Sequence, residues 1–405
     1  MKFLLIPENN SLSHIGKCLS VMDILEQRGH ETEIAVTKNH SGFLDDLGIR
    51  HHLLPDIQEA DCGGFPTFGW FSKVGLIADC IHEEVDLIDR IRPDRVVGVF
   101  RPTLYASSAI TGVSHDSLIC GCMVPEFREV LGFMGNEDRI EVQKKLLANF
   151  FSFAGTRLNE AMAKFGLPAM EDIREVFVGE RTFLWDFPEF LPLATRGNML
   201  HVGPIALRHW PYDPFDPDRI VKRGLPVAVI SFGTCTCVMD DAVVRRIAGL
   251  LLESGYQVII AAGGRKAMYD LESGDPRVTV LNYARLTEIF PHASLLVTHG
   301  GQMTVFEALR NEVPVLTMPF QPEQAHNGVC LERIGCGARL IPSTLFYGLS
   351  EDYVQAFQRV SDDDLKEKIA RLVDDPETGK ALARMRQVIA RYSGAEAIAR
   401  ALEGK

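Results

Sequence analysis

Short apolar runs alternate with longer stretches of helical spacing along most of the chain. Residues 3–6 and 31–36 read as strands. Between them, residues 15–27 read as a helix, with Leu19, Met22, Ile24 and Leu25 largely on one side and Gly29 as a stop. Residues 74–91 give a further helix that ends near Pro93, and 94–99 a buried strand. Residues 137–165 form a long helical region in which Leu146, Leu147, Phe150 and Phe151 belong to the core. The second half repeats the alternation, with strands at 226–232, 256–262, 277–281, 295–297 and 313–318. Helices start near Asp241 and after Gly301, and a last amphipathic helix covers 381–402. Strands that alternate with helices imply parallel sheets covered on both faces.

The stretch 295–324, LLVTHGGQMTVFEALRNEVPVLTMPFQPEQ, carries the most chemistry. It reads strand, glycine turn, helix, strand. Val305, Ala308 and Leu309 fall on one helix face and should pack inward. Gly300, Thr304 and Glu307 fall on another. A helix start offers free backbone N–H groups and a partial positive charge, which suits an anion. Gly300 and Gly301 let a phosphate approach the backbone. His299 adds a donor, Thr304 a hydroxyl, and Glu307 an acceptor for a ribose diol. Glu323 and Gln324 add an acceptor and an amide for a polyhydroxylated group. The set describes a pocket for a nucleoside diphosphate carrying a sugar.

The strings THGGQMTVFEAL and VPVLTMPFQPEQAHN resemble the nucleotide-sugar signature of the UDP-glycosyltransferase superfamily, inverting enzymes of GT-B fold. The resemblance implies an α/β protein with two Rossmann-like domains facing across a cleft. The expected division is an acceptor domain over 1–205, a linker over 206–222, a donor domain over 223–380, and a terminal helix over 381–405 that crosses back. The segment 209–218, HWPYDPFDPD, rich in proline and acid, reads as that linker. Ser231-Phe232-Gly233-Thr234 is similar to the family's loop on the opposite wall of the donor site. Tyr283 matches its nucleobase-packing aromatic, whereas Arg285 and Leu286 depart from the pattern. Donor contacts are thus expected from Gly233, Thr234, Tyr283, His299, Gly300, Gly301, Gln302, Met303, Thr304, Glu307, Glu323 and Gln324.

The loop after the first strand, PENNSLSH, ends in His14, placed just before a helix and suited to act as a base near neutral pH. Its lack of a glycine run argues against a nicotinamide site. In the resembling family a histidine after the first strand deprotonates the acceptor hydroxyl, often oriented by an aspartate from a later strand. Here Val99 stands where that acid is expected, so Asp116 or Glu8 is left to replace it. The glycine- and aromatic-rich segment 61–71 reads either as a loop over an acceptor or as a loop pinned by its rings.

A net charge of −12 argues against a nucleic-acid partner. Nine cysteines, an odd and scattered set, suggest reduced thiols in the cytoplasm. Cys120 with Cys122, and Cys235 with Cys237, read as small residues rather than metal ligands. The first apolar run is short and ends at Pro7-Glu8, so it reads as a strand and not a signal peptide. No run approaches the ~20 apolar residues of a membrane span. The expected reaction is inverting, metal-independent transfer of a hexose from a UDP- or TDP-sugar to a hydroxyl of a small molecule, with no cofactor beyond that donor. A nucleotide-sugar epimerase or hydrolase, and a non-catalytic partner subunit, are the alternatives. Homodimerisation is left open.

Overall fold

A computed structural model describes residues 1–8, 11–57, 71, 73–207, 212–233, 241–264, 270, 274–345 and 350–404. The chain divides into two units. Unit 1 comprises Met1–Arg128, Lys145–Trp210 and Tyr392–Lys405, and unit 2 comprises Glu129–Lys144 and Pro211–Arg391.

Unit 1 is built on a seven-stranded sheet. Its strands are β1 (Lys2–Pro7), β2 (Glu31–Thr37), β3 (His52–Leu54), β4 (Arg95–Val99), β5 (His115–Ile119), β6 (Thr182–Leu184) and β7 (Met199–His201). Their order is β3-β2-β1-β4-β5-β6-β7, and every pairing is parallel. Phe3, Leu4, Leu5 and Ile6 are all fully buried. A central parallel strand is covered on both faces, so its apolar run is continuous rather than alternating. Its helices include α1 (Leu12–Gln27), α2 (Val74–Ile91) and, from Lys145 on, α3 (Ile140–Ala163).

Unit 2 repeats the plan with six strands. They are β8 (Val227–Ser231), β9 (Gln257–Ala261), β10 (Val278–Leu281), β11 (Leu295–Thr298), β12 (Val315–Thr317) and β13 (Gly337–Arg339). The order is β10-β9-β8-β11-β12-β13, again parallel throughout. Its functional helices are α4 (Gln302–Arg310) and α5 (Pro322–Ile334). In both sheets the strand order reverses beside the first strand, between β1 and β4 and between β8 and β11. Ligands of open α/β sheets bind beyond the strand ends at such a reversal.

The chain departs from the expected division in two places. Residues 129–144 belong to unit 2. Within it, Arg333 pairs with Glu129 at 3.0 Å, Arg339 with Glu137 at 2.7 Å, and Ser343 Oγ donates to the Gly132 carbonyl at 2.7 Å. Leu131 and Phe133 are buried there. The helix expected over 381–402 is two helices, α6 (Pro376–Ile389) in unit 2 and α7 (Ala395–Leu402) in unit 1. The break is at Gly394, with φ +52°. A Cβ there would lie 2.4 Å from the Pro204 carbonyl oxygen, and the Gly394 N–H donates to Val202 O at 2.9 Å. Only glycine fits that approach. Arg28, the C-cap of α1, then pairs with Glu396 and, at 2.7 Å, with Glu403, while Arg181 donates to the Ala401 carbonyl.

Six of the described cysteines are free and buried. Cys235 and Cys237 lie outside the described residues, as do 61–70 of the aromatic loop and part of the segment read as a linker. No helix among the described residues is long and apolar enough to cross a membrane.

Gly394→Ala should therefore lower unfolding free energy by about 1–3 kcal/mol, since it adds both left-handed strain and a backbone collision. Gly379→Ala, in α6 with open space around it, is the control and should be neutral or stabilising. Equal denaturant midpoints for the two variants would contradict this account of the break.

Candidate functional site

In unit 1 the strand ends at the reversal gather around His14. Ser11 caps α1, its Oγ accepting the Ser13 N–H at 3.2 Å. His14 therefore lies in the first turn of α1 rather than before it, and its side chain is 14% exposed. Glu8 extends the β1–β4 ladder one residue past β1, its N–H donating to Val99 O at 2.7 Å. That bond fixes the Glu8 backbone, and the side chain, 2% exposed, places Oε2 3.0 Å from His14 Nδ1. A carboxylate at Nδ1 selects the tautomer protonated there, so Nε2 carries the lone pair.

Two rings flank the imidazole. Phe100 stacks on it at 5.7 Å and 17°, and Trp185 lies against it at 5.8 Å and 40°. Phe100 follows β4 and has φ +56°, unusual for a bulky residue, and Phe177 backs its ring at 4.8 Å. Trp185 follows β6 and is buried.

Asp116, expected as a candidate orienting acid, has another role. It is fully buried and accepts from Arg95 Nε at 2.7 Å and from Arg181 Nε at 2.9 Å. The register explains why it is not beside His14. Asp116 pairs level with Val97, and Val97 with Leu5, so it sits three residues short of Glu8 along the sheet. That is roughly 10 Å at strand spacing. The acid that meets His14 is Glu8. Val99, in the place of the missing aspartate, is part of the core.

In unit 2 the turn after β11 is held tightly. Gly300 has φ +92°, and a Cβ on it would lie 2.8 Å from the Gln324 carbonyl oxygen. The His299 ring runs past two glycines. A Cβ on Gly301 would stand 2.5 Å from His299 Nε2, and one on Gly233 3.0 Å from Cε1. Thr298 Oγ1 is 3.3 Å from His299 Nδ1. Gly301 caps α4 with no side chain, and the first helical bond is Val305 N–H to Gly301 O at 3.0 Å. The N–H groups of Gln302, Met303 and Thr304 thus stand at the open helix start, where an anion is favoured. Val305, Ala308 and Leu309 are fully buried, as their spacing predicts.

Around that turn the other expected residues take up specific partners. Glu307 Oε1 accepts from Asn311 Nδ2 at 3.1 Å, one turn further along. Gln324 is buried and its amide oxygen accepts the Phe320 N–H at 3.0 Å, so its NH₂ is the group it can offer a ligand. Glu323 Oε1 accepts from Asn327 Nδ2 at 2.6 Å, and the same nitrogen donates to Gly300 O at 2.8 Å. Asn327 was not among the expected site residues, yet it ties the anion turn to the first turn of α5. Its signal was present in the string EQAHN: a buried amide one helical turn after Glu323. Tyr283 presents its hydroxyl beside Gly264, where a Cβ would approach to 3.1 Å. Its carbonyl accepts the Asp213 N–H at 2.8 Å. Arg285, which departs from the resembling pattern, lies over the Tyr212 ring at 4.7 Å. Thr234 lies outside the described residues. Among the described residues no group of three or more His, Cys, Asp or Glu side chains is placed to hold a metal ion.

Part of the sequence, and the fold, are similar to those of known glycosyltransferases. The profile of the UDP-glucuronosyl and UDP-glucosyl transferases matches residues 181–376. A PGL/p-HBAD biosynthesis rhamnosyltransferase of Mycobacterium bovis (strain BCG / Pasteur 1173P2) is 23% identical over 394 residues, covering 92% of this chain and 84% of its own. The NDP-glycosyltransferase YjiC of Bacillus licheniformis is 29% identical over 205 residues, covering 50% of this chain and 47% of its own. Among solved structures, the glycotransferase of kitacinnamycin superposes with a TM-score of 0.76 at 17% identity, over 99% of this chain and 98% of that one. The spinosyn rhamnosyltransferase SpnG complexed with thymidine diphosphate gives 0.70 at 17% identity over the whole of both chains. Residues 181–376 thus resemble the UDP-glucuronosyl and UDP-glucosyl transferases, and the two parallel sheets have the GT-B fold.

Proposed function

We propose that the protein transfers a hexose from a nucleoside-diphosphate sugar to a hydroxyl of a small-molecule acceptor, with inversion at the anomeric carbon. The observation that carries this reading is the pair His14–Glu8 at 3.0 Å, a base held in one tautomer at a strand-order reversal. His14 Nε2 takes the hydroxyl proton as the oxygen attacks the anomeric carbon. Glu8 stabilises the imidazolium that forms. The nucleoside diphosphate leaves with both electrons of the broken bond. Its growing charge is met by the N–H groups at the start of α4, by His299 and by Thr304, donors already in place before reaction.

Several names support the reading. Relatives include a rhamnosyltransferase and a demethyllactenocin mycarosyltransferase of Streptomyces fradiae, and one solved neighbour was captured with thymidine diphosphate and another with a spinosyn aglycone. These favour a thymidine or uridine diphosphate sugar as donor and a natural-product hydroxyl as acceptor. Tyr283 is the residue proposed to pack on the base, and Glu323 and Gln324 the ones to hold the sugar.

His14→Ala should lower kcat by roughly 10²–10⁴-fold with nucleoside diphosphate affinity little changed. Glu8→Gln should reduce kcat in the same direction by a smaller factor, because the ring keeps its place but loses its counter-charge. Near-normal turnover in a well-folded His14→Ala protein would end the assignment. On the donor side, Glu307→Ala should weaken nucleoside diphosphate binding by about 1–3 kcal/mol in calorimetry, and an unchanged affinity would remove Glu307 from the ribose role. Turnover should also survive strong chelation, since helix-start donors and not a cation meet the phosphates. Activity lost to EDTA and restored by magnesium or manganese would overturn that mechanism. Comparing donor consumption with and without acceptor separates transfer from hydrolysis.

A further inference from the structure

One helical turn beyond His14, α1 buries a lysine. Lys17 is 2% exposed and stands among the largest fully buried side chains of the chain. Its neighbours on the helix, Ile15, Cys18 and Leu19, are buried and apolar or nearly so. An ammonium taken out of water is costly unless its donors are met, and an aliphatic side chain would suit this position better on packing grounds alone. Two contacts with described residues meet it. Lys17 Nζ donates to Ser13 Oγ at 3.3 Å, and it sits 4.4 Å from the centroid of the Trp185 ring. A cation over an indole face is an attractive arrangement that strengthens as water is excluded. The same indole is one of the two rings against His14, at 5.8 Å. Ser13 is the residue that joins the α1 cap to His14.

We propose that Lys17 is a positioning residue for the His14–Glu8 pair, fixing the Trp185 ring against the imidazole and balancing the buried Glu8 carboxylate. The inference rests on the proposed role of His14 as base and adds to it the means by which the base is held ready. Two effects follow. Without the ammonium the indole loses its anchor, and the wall beside His14 loosens. Without its charge, the imidazolium form of His14 becomes easier to reach. The described groups that face His14 are Glu8 from the end of β1, Ser13 and Lys17 from α1, and the uncharged rings of Phe100 after β4 and Trp185 after β6. Glu8 favours a protonated imidazole and Lys17 opposes it. At i, i+3 on one helix the two side chains are close enough for that opposition to register.

The test is the titration of His14 by NMR of the histidine ring carbons in the full chain, its signal assigned by its loss in His14→Ala. It needs neither donor nor acceptor. In Lys17→Met the midpoint should rise by roughly half a unit to one unit. In Lys17→Arg, which keeps the charge, it should stay near the wild-type value. The acidic limb of the kcat/KM profile should then move to higher pH in Lys17→Met by the same amount. An unmoved midpoint in a folded Lys17→Met protein overturns the proposal and leaves Lys17 a packing residue. A midpoint that moves while the kcat/KM limb stays put sustains the coupling and overturns His14 as the base. Should the methionine variant not fold, Lys17→Gln, which retains a polar head for Ser13, is read in the same way.

Discussion

Parallel pairing is the constraint on which both candidate sites depend. It sends every strand of a sheet out at one edge, and the reversal in strand order leaves a gap there between two neighbouring loops. In unit 1 the neighbours are the ends of β1 and β4, and they deliver Glu8 and Phe100 to the two sides of His14. In unit 2 the neighbours are the ends of β8 and β11, and they deliver Gly233 and His299, which pass each other with no room for a Cβ. The chemistry differs between the gaps. One holds an imidazole against a buried carboxylate, and the other holds backbone N–H groups at a helix start. The scaffold that makes them is the same.

Much of this was legible in the sequence. Continuous apolar runs give the strands, because a strand covered on both faces has no polar side to show. The string THGGQMTVFEAL gives a turn, a helix and an inward face, and all three are present, with Val305, Ala308 and Leu309 in the core. What was not legible depends on register and burial. Glu8 and Asp116 were equal candidates to accompany His14 until pairing placed Asp116 level with Leu5, between two arginines. The left-handed backbone of Phe100 has no signature in its neighbours, Val99 and Arg101. Lys17 reads from sequence as one more polar position on an amphipathic helix, and only the packing of Trp185 reveals it as buried. The terminal helix reads as continuous from its amphipathic pattern. The carbonyl of Pro204, distant in sequence, is what makes Gly394 a break.

Charges are buried in unit 1 in two distinct ways. Glu84 and Arg101 pair at 2.6 Å with both side chains almost wholly enclosed, and Thr103 Oγ1 also donates to that carboxylate. This set joins α2 to the loop after β4, and Ser107 Oγ and the Pro55 carbonyl add further hydrogen bonds to it, as a structural ion pair requires. The His14 cluster is arranged differently. Its carboxylate meets the imidazole, the imidazole lies against two rings, and its ammonium meets a hydroxyl and an indole face. An arrangement of that kind holds geometry while leaving a proton able to move.

The two units are also written into one another along the chain. The polypeptide passes from one to the other at 128/129, 144/145, 210/211 and 391/392. A natural recombination or an engineered graft that joined one enzyme's first half to another's second half at 210/211 would import a unit 2 without its own residues 129–144 and a unit 1 without its own α7. The salt bridges of Glu129 and Glu137 to Arg333 and Arg339, and those of Arg28 to Glu396 and Glu403, would then be left to whatever the foreign halves supplied. Exchange of one unit for a relative's within this architecture thus has junctions that must be moved in concert, with residues 129–144 travelling with unit 2 and the terminal helix with unit 1.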